Sequence, residues 1–309
     1  MDDRKSGGPS LCTAELTLLA EIADAGSLTL AARTLGSTQP ALSKQLRRLE
    51  EFLGVPLFER GVRGVSPTEF GAALLPRART VREQIRQAQE DVAQLRGRRE
   101  GRVSIALAHF ATIALLPQVM RSFREAWPLV TIRITPPSFQ LAGLREGDPD
   151  FAVMSLPAGL PESDYTTRPV YATTVVAVVR EGHPLAKARA LEQLVEADWI
   201  LPSLESAIAR GVKRAFAKAQ LPGPRCPITC ETLTGLETLI ASSDLIGAMP
   251  LEVYLQRRAA SRLLMVPLDL AIEGPRVVIL RWAEARPTPA SMALEQAFVK
   301  AAATLAKSR

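Results

Sequence analysis

In the stretch GSTQPALSKQLRRLE, Gly36 to Glu50, a polar and cationic set recurs on one side, Gln39, Pro40, Ser43, Lys44 and Arg47, and a leucine set on the other. From Arg33 to Arg48 the chain carries four cations and no carboxylate. Ammonium and guanidinium groups beside an amide and a hydroxyl suit contact with a polyanion such as DNA. Catalytic chemistry is not indicated. The two histidines, His109 and His183, are well separated and have no ligand-spaced carboxylates, so no metal site is expected. There is no glycine-rich phosphate loop and no nucleophile elbow, and no cofactor is expected.

The elements that must hold these groups are helical. Thr38 can accept from an orphan amide of a first turn, and Pro40 is tolerated there because its missing donor is not needed. Leu42, Leu46, Leu49 and Leu53 are spaced four, three and four apart, which makes one buried stripe at 3.6 residues per turn. A charged face is ordinarily only the solvated side of such a helix. What distinguishes this one is its context. AGSLTLAARTLG precedes it, with Ser27 placed to cap a short helix whose Leu28, Ala31, Ala32 and Leu35 make a second stripe closed by Gly36. Upstream, Leu16, Leu19, Ile22 and Ala23 mark a third helix stopped at Gly26. Two short helices joined by a tight turn on a supporting helix make a helix-turn-helix. GVPLFERGVRGVSPTEFG then places Leu57 and Phe58 in the core, followed by a strand pair with Gly61 and Gly64 and with Arg60 and Arg63 exposed. That is a basic wing, and a guanidinium suits the negative potential of a narrow minor groove.

These residues, AGSLTLAARTLGSTQPALSKQLRRLEEFLGVPLFER followed by RGVSPTEFG, closely resemble the N-terminal domain of the LysR-type transcriptional regulators, and the remainder follows that family's layout. The resemblance implies a bacterial DNA-binding regulator, a tetramer built from two kinds of dimer contact, answering to a small inducer. It places Gln39, Pro40, Ser43 and Lys44 at the major groove and Arg60 in the minor groove. Residue chemistry agrees: Gln39 can pair bidentately with adenine, Pro40 can meet a thymine methyl, and Ser43, Lys44 and Arg47 can hold phosphates, with Thr29 a weaker phosphate contact.

From Thr68 to Arg99 the chain reads as one long helix, with a kink expected at Pro76. Ala78, Val81, Ile85, Ala88, Val92 and Leu95 follow three-four spacing, with Arg82, Glu83, Arg86, Gln87, Glu90 and Asp91 outside, which is a coiled-coil seam. The resemblance implies a linker helix that pairs antiparallel with its copy, Val81, Ile85, Val92 and Leu95 forming the contact.

After Gly101 short apolar strands alternate with helices, a parallel α/β pattern. Val103–Ala108, Val130–Thr135 and Phe151–Ser155 read as strands of one lobe; TVVAVV, WILP, ITCET and LIGAM belong to a second; RVVILRW leads back to a terminal helix. The fold class is therefore α/β, with an N-terminal winged helix-turn-helix (11–67), a linker helix (68–99) and a two-lobed effector domain (100–309) of the periplasmic-binding-protein-like type II that the resemblance implies. The first lobe is expected at about 103–172 and 282–309, the second at about 173–281. The cleft between lobes is the default ligand site. Thr112, Ser138, Ser203, Ser206 and Thr234, the last with Glu237 as a capping box, stand at expected helix N-termini, whose free amides favour an anion. By resemblance His109, Phe110, Ser138, Phe139, Ser155, Pro202, Ser203 and Thr232 also face the effector, a set suited to a small aromatic acid.

At 309 residues, with 47% hydrophobic and 23% charged residues, the chain is long enough for two or more domains. A net charge of +6 fits an anionic partner without identifying it. MDDRKSGGPS is polar and acidic, unlike a signal peptide, and no apolar run approaches the roughly 20 residues of a membrane span, so a cytoplasmic protein is expected. Cys226 and Cys230, read on one strand, lie too far apart for a disulfide. The rival reading, a two-lobed binding protein or cofactor enzyme with a DNA-binding head, lacks the export signal or phosphate loop that it would need.

Overall fold

The computed structural model describes residues 11–61, 64–137, 141–157, 159–161 and 163–307. Two compact units emerge, one of residues 1–98 with 140–149, the other of 99–139 with 150–309.

The first unit opens with α1 (Thr13–Ala25), α2 (Leu28–Thr34) and α3 (Gln39–Leu53), then β1 (Phe58–Gly61), β2 (Gly64–Pro67) and α4 (Glu69–Leu95). Thr38 and Gly26 cap their helices as expected, and Thr68 caps α4. Thr38 Oγ1 accepts from Ala41 N at 3.4 Å and Thr68 Oγ1 from Gly71 N at 3.2 Å, while α1 ends on a left-handed Gly26. Ser27 holds the N-cap position of α2 but makes no side-chain capping bond. Leu19, Ile22, Ala31, Leu42, Leu49 and Leu57 are completely or almost completely buried in one core. Each such leucine contributes roughly 1.5–3 kcal/mol. Leu35 instead faces solvent, because α2 ends before it. β1 and β2 pair antiparallel, Arg60 opposite Val65; Arg63 lies outside the described residues.

Helix α4 runs without interruption across Pro76, which is exposed. Its first half is not a free seam. Ala78 is buried in the helix-turn-helix core, and Arg82 reaches α1, donating to Glu21 at 2.9 Å and Asp24 at 2.6 Å. Arg79 adds a 2.7 Å contact to Asp24. Glu83 and Gln87, expected on the outside, are buried, since the short α7 (Ala142–Glu146) of the same unit packs on α4. The opposite face stays open, with Ile85, Ala88 and Val92 exposed, Val92 by 52%.

The second unit begins with β3 (Glu100–Leu107), α5 (His109–Ala114), α6 (Leu116–Ala126) and β4 (Leu129–Thr135). A single helix is expected over 111–127; the chain breaks it at Leu115, one residue before a helix with proline in its first turn. After α7 come β5 (Phe151–Ser155), β6 (Tyr165–Arg180), β7 (Asp198–Leu201), α8 (Ala207–Lys218), β8 (Arg225–Thr229), α9 (Leu233–Ala241) and β9 (Ile246–Pro250). α10 (Leu251–Ser261), β10 (Leu263–Met265), β11 (Ile272–Trp282) and α11 (Pro289–Lys307) complete it. Of the stretch 138–147 that reads as a helix, residues 138–140 lie outside the described residues and Ala142–Glu146 form α7, while the strand expected at Ile228–Thr232 lies three residues earlier, leaving Cys230 beyond its end. The three cysteines are free.

One nine-stranded sheet runs through the unit in the order β4-β3-β5-β11-β6-β9-β7-β8, with β10 on β6. It is mixed rather than parallel: β3 pairs parallel with β4 and β5, and β7 with β8 and β9, but β11 is antiparallel to both β5 and β6. Three cores flank the long strands, one in the first lobe and two in the second, the last of them around Val178, Ile200, Leu236 and Met249. Val103, Phe151, Val277 and Phe298 belong to the first, and Val175, Trp199, Phe216 and Ile272 to the second. β11 therefore changes core between Ile272 and Val277, well before the return near Arg281 that periodicity suggests. The ladder shifts register there, between Glu273 and Arg276. Gly274 is required at this bulge, because a Cβ would lie 2.6 Å from the Thr173 carbonyl oxygen. Opposite it, Thr173 Oγ1 donates to the buried Glu252 at 2.6 Å.

Candidate nucleic-acid interface and effector cavity

The exposed surface of α2 and α3 gathers most of the residues expected to meet DNA. Thr29, Thr38, Pro40, Lys44 and Arg47 are exposed, and Gln39 and Ser43 are half-buried beside them. Their placement follows from the opposite stripe. With Leu42, Leu46 and Leu49 locked in the core, residues 39, 40, 43, 44 and 47 must project outward. The open N-terminus of α3 adds its positive dipole end where an anion would approach. The wing strands meet the turn between α1 and α2, Val65 N donating to Gly26 O at 2.9 Å.

Electrostatics tie α4 to this head. Burial pulls the Asp24 carboxyl upward, but hydrogen bonds and charge from Arg82 and then Arg79 outweigh it and hold the carboxyl below its ordinary value.

In the second unit a cavity of about 570 Å³ opens between the two lobes. From the first lobe come His109, Phe110 and Ser155, and from the second Pro202, Ser203 and Ser206, so these expected residues are brought together. Ser138 and Phe139 lie outside the described residues. Two hydroxyls serve otherwise. Thr112 does not cap a helix; it sits inside α5, donates to Ala108 O at 3.2 Å and does not line the cavity. The cap of α9 is Thr232, which accepts from Gly235 N at 3.3 Å, whereas Thr234 is within the first turn. Glu237 forms no capping box and is bound in two 2.6 Å contacts by Arg257 of α10. Thr232 is flanked by lining residues, Cys230, Glu231 and Leu233, without lining the cavity itself.

The polar end of the cavity is the start of α8. Ser206 accepts from Ala209 N at 3.1 Å and its carbonyl from Arg210 N, which leaves the Ala207 and Ile208 amides outside the helix ladder. Ser203 Oγ accepts from Glu205 N at 3.3 Å. Arg210 donates to the Glu205 carbonyl and Lys213 to that of Leu204, so two cations are drawn to the same turn. Arg210 also lines the cavity and escaped sequence reading, since nothing in helical spacing indicates that its side chain folds back along the helix. The remaining wall is mostly apolar, with Met154, Leu156, Leu233, Leu236, Met249 and Val253, and two carboxylates, Glu205 and Glu231, also line it. Burial pushes the nearby Cys226 thiol up, away from the reactive thiolate.

Among the described residues no group of three or more His, Cys, Asp or Glu could hold a metal ion, and no helix is long and apolar enough to cross a membrane.

The architecture has solved counterparts. Full-length CbnR bound to its target DNA is 21% identical, with 94% of this chain and 100% of that one aligned at a TM-score of 0.70. A full-length OxyR variant from Pseudomonas aeruginosa is 20% identical, over 94% of this chain and 95% of that one, at 0.72. At these identities the likeness is one of fold. Among characterised sequences, the HTH-type transcriptional regulator GbpR of Azospirillum brasilense is 31% identical over 74% of this chain and 68% of its own length. The regulator PcaQ of Agrobacterium fabrum is 28% identical over 94% of both. Residues 13–72 match the bacterial regulatory helix-turn-helix of the lysR family, and residues 96–303 match the LysR substrate binding domain. With a DNA-binding head at one end and a ligand cavity in the domain that follows, the chain belongs to the LysR family of bacterial transcriptional regulators.

Proposed function

We propose that this regulator answers to a small organic acid with an apolar body, of aromatic size, bound in the cavity between the two lobes of its effector domain. The observation that carries the reading is the start of α8, where Ser203, Ser206 and Arg210 line a cavity whose wall is mostly apolar, Phe110 included, with the carboxylates Glu205 and Glu231 also on it. Such a ligand touches both lobes and binds their closed arrangement better than the open one, and only that difference shifts the equilibrium between them. The DNA contacts are Gln39 and Pro40 at base edges, Ser43, Lys44, Arg47 and Thr29 at phosphates, and Arg60 and Arg63 of the wing at the minor groove. Two heads are joined through α4 around Val81, Ile85, Val92 and Leu95, within a tetramer, the side chain of Leu95 lying outside the described residues. The protein acts in the bacterial cytoplasm, where its DNA is.

Calorimetry with a panel of small aromatic and aliphatic acids, amines and neutral sugars tests the effector class. Acids are expected to bind, with affinity reduced in Arg210→Gln. Binding of amines or sugars in place of acids overturns the anion reading while leaving the cavity as the site.

A further inference from the structure

Glu50 lies on the same face of α3 as Ser43 and Arg47, at the end remote from the helix N-terminus. Its carboxylate does not point to solvent as a free charge. Oε1 accepts from Leu57 N at 2.8 Å and from Phe58 N at 3.2 Å. Phe58 is the first residue of β1, and Arg60 follows two positions later. One oxygen on the helix expected to read bases therefore holds the backbone at the point where the wing begins.

Packing does not do this work alone. A notch of about 220 Å³ separates α3 from the wing, lined among others by Ser43, Arg47, Glu50, Phe58 and Val65. The wing's remaining ties lead elsewhere. Val65 N bonds Gly26 O between α1 and α2, and Thr68, the cap of α4, donates to Pro56 O at 2.7 Å. Gly71 of α4 sits so close to Leu57 that a Cβ there would overlap the Leu57 carbonyl oxygen. These fix the wing to α1, α2 and α4; toward α3 it is held by the packing of Leu57 and Phe58 on the α3 leucines and, among the described residues, by the hydrogen bonds of Glu50.

We propose that Glu50 is a positioning residue for DNA binding, setting the wing at a fixed spacing from α3 so that one duplex is read in both grooves at once. The inference rests on the wing reading given above. It also accounts for a carboxylate beside a surface meant for phosphates: its lone pairs are directed to two amides that would otherwise be buried without partners.

The test uses the full-length protein and a duplex selected by it from a random library, remade with A·T-rich or G·C-rich flanks at the wing positions. The quantity read is the ratio of affinities for the two flanks, which a loss of folded protein does not change. Wild type is expected to favour A·T flanks, and Arg60→Ala to lose that preference. Glu50→Ala is expected to reduce the ratio about tenfold, the size of one good groove contact. Adding Arg60→Ala on top should change it little, the non-additivity of groups acting through one element. Glu50→Gln, which keeps the acceptor oxygen, should retain the preference. Should Glu50→Ala not stay folded, Glu50→Asp carries the test, since it keeps the charge but shortens the reach, and the ratio must fall. An unchanged ratio in the Glu50 variants, or losses from Glu50 and Arg60 that simply add, overturns the role of Glu50 alone. A flank ratio indifferent to Arg60→Ala overturns the wing reading and this proposal with it.

Discussion

Thr173 and Glu252 are bonded at the point where the effector domain passes from one lobe to the other, the Thr173 hydroxyl donating to Glu252 Oε2 at 2.6 Å. Thr173 lies on β6 opposite the bulge of β11, and Glu252 in the first turn of α10, where the helix dipole favours a carboxylate. Both side chains are buried. Thr173→Val preserves shape and removes the donor, and should cost about 1–3 kcal/mol of stability. Thr173→Ser should recover most of it. Denaturant midpoints measure this, and an unchanged midpoint in the valine variant would show that the bond contributes nothing.

The Asp24 cluster gives stability a pH dependence of definite sign. A carboxyl held below its ordinary value in the folded state stabilises fully above that ordinary value, and the contribution is lost as pH falls through the lower folded one. Asp24 and its partners are partly exposed, so the gain is screened to under about 1 kcal/mol. Asp24→Asn should melt below wild type at neutral pH, with the gap closing in acid. A gap that widens in acid contradicts the assignment.

On DNA, Gln39→Ala should lose roughly 1–3 kcal/mol at particular base pairs, whereas Lys44→Ala should weaken all sequences alike and flatten the salt dependence. Competition between selected and random duplexes separates the two. Equal losses for Gln39→Ala on both duplexes would remove it from the base-reading set.

The open face of α4 predicts the assembly. Ile85→Glu places a charge among Val81, Ala88 and Val92, and should yield a smaller sedimenting species. Affinity for a duplex with two half-sites should fall on the order of 100-fold as avidity is lost. Effector binding should persist. A variant that sediments as wild type does would show that the exposed face joins no second copy.

Effector binding should respond to Ser203→Ala and Arg210→Gln, each losing about 1–3 kcal/mol of affinity for an acid. Thr112→Val should bind as wild type does, since that hydroxyl is satisfied by Ala108 O. Titration calorimetry on the three variants decides the matter, and a loss confined to Thr112→Val would move the site.

Local signals were legible and long-range ones were not. Thr38 and Thr68 declare helix starts by their own chemistry, and the α3 leucines declare a buried face by spacing alone. Thr112 and Thr234 misled because a hydroxyl caps a helix only from the one position where the backbone turns, and Thr232 occupied it two residues before Thr234. Glu83 and Gln87 read as outside positions because their cover, α7, lies more than fifty residues further along the chain. α10 was missed for a related reason: LEVYLQRRAAS buries Glu252 beside Val253 and Tyr254, which blurs the contrast between its faces. Among the cavity residues, the hydroxyls near α8 could be read from cap chemistry, but the reach of Arg210 could not.

The paired β6 and β11 run through both lobes as one ladder, from Ile272 opposite Val175 to Trp282 opposite Tyr165. A hydrogen-bonded ladder resists sliding, because a shift by one residue turns every side chain to the wrong face. It yields far more readily to torsion, since strands twist about their own axes in any case. For lobes that close over the proposed ligand, rotation about the strand axis at the 273–276 bulge is therefore the expected motion, ahead of sliding along the ladder. In mechanical terms the connection between the lobes is then expected to work as a torsion bar rather than a hinge of loops, with the stiffness of two strands limiting the angle.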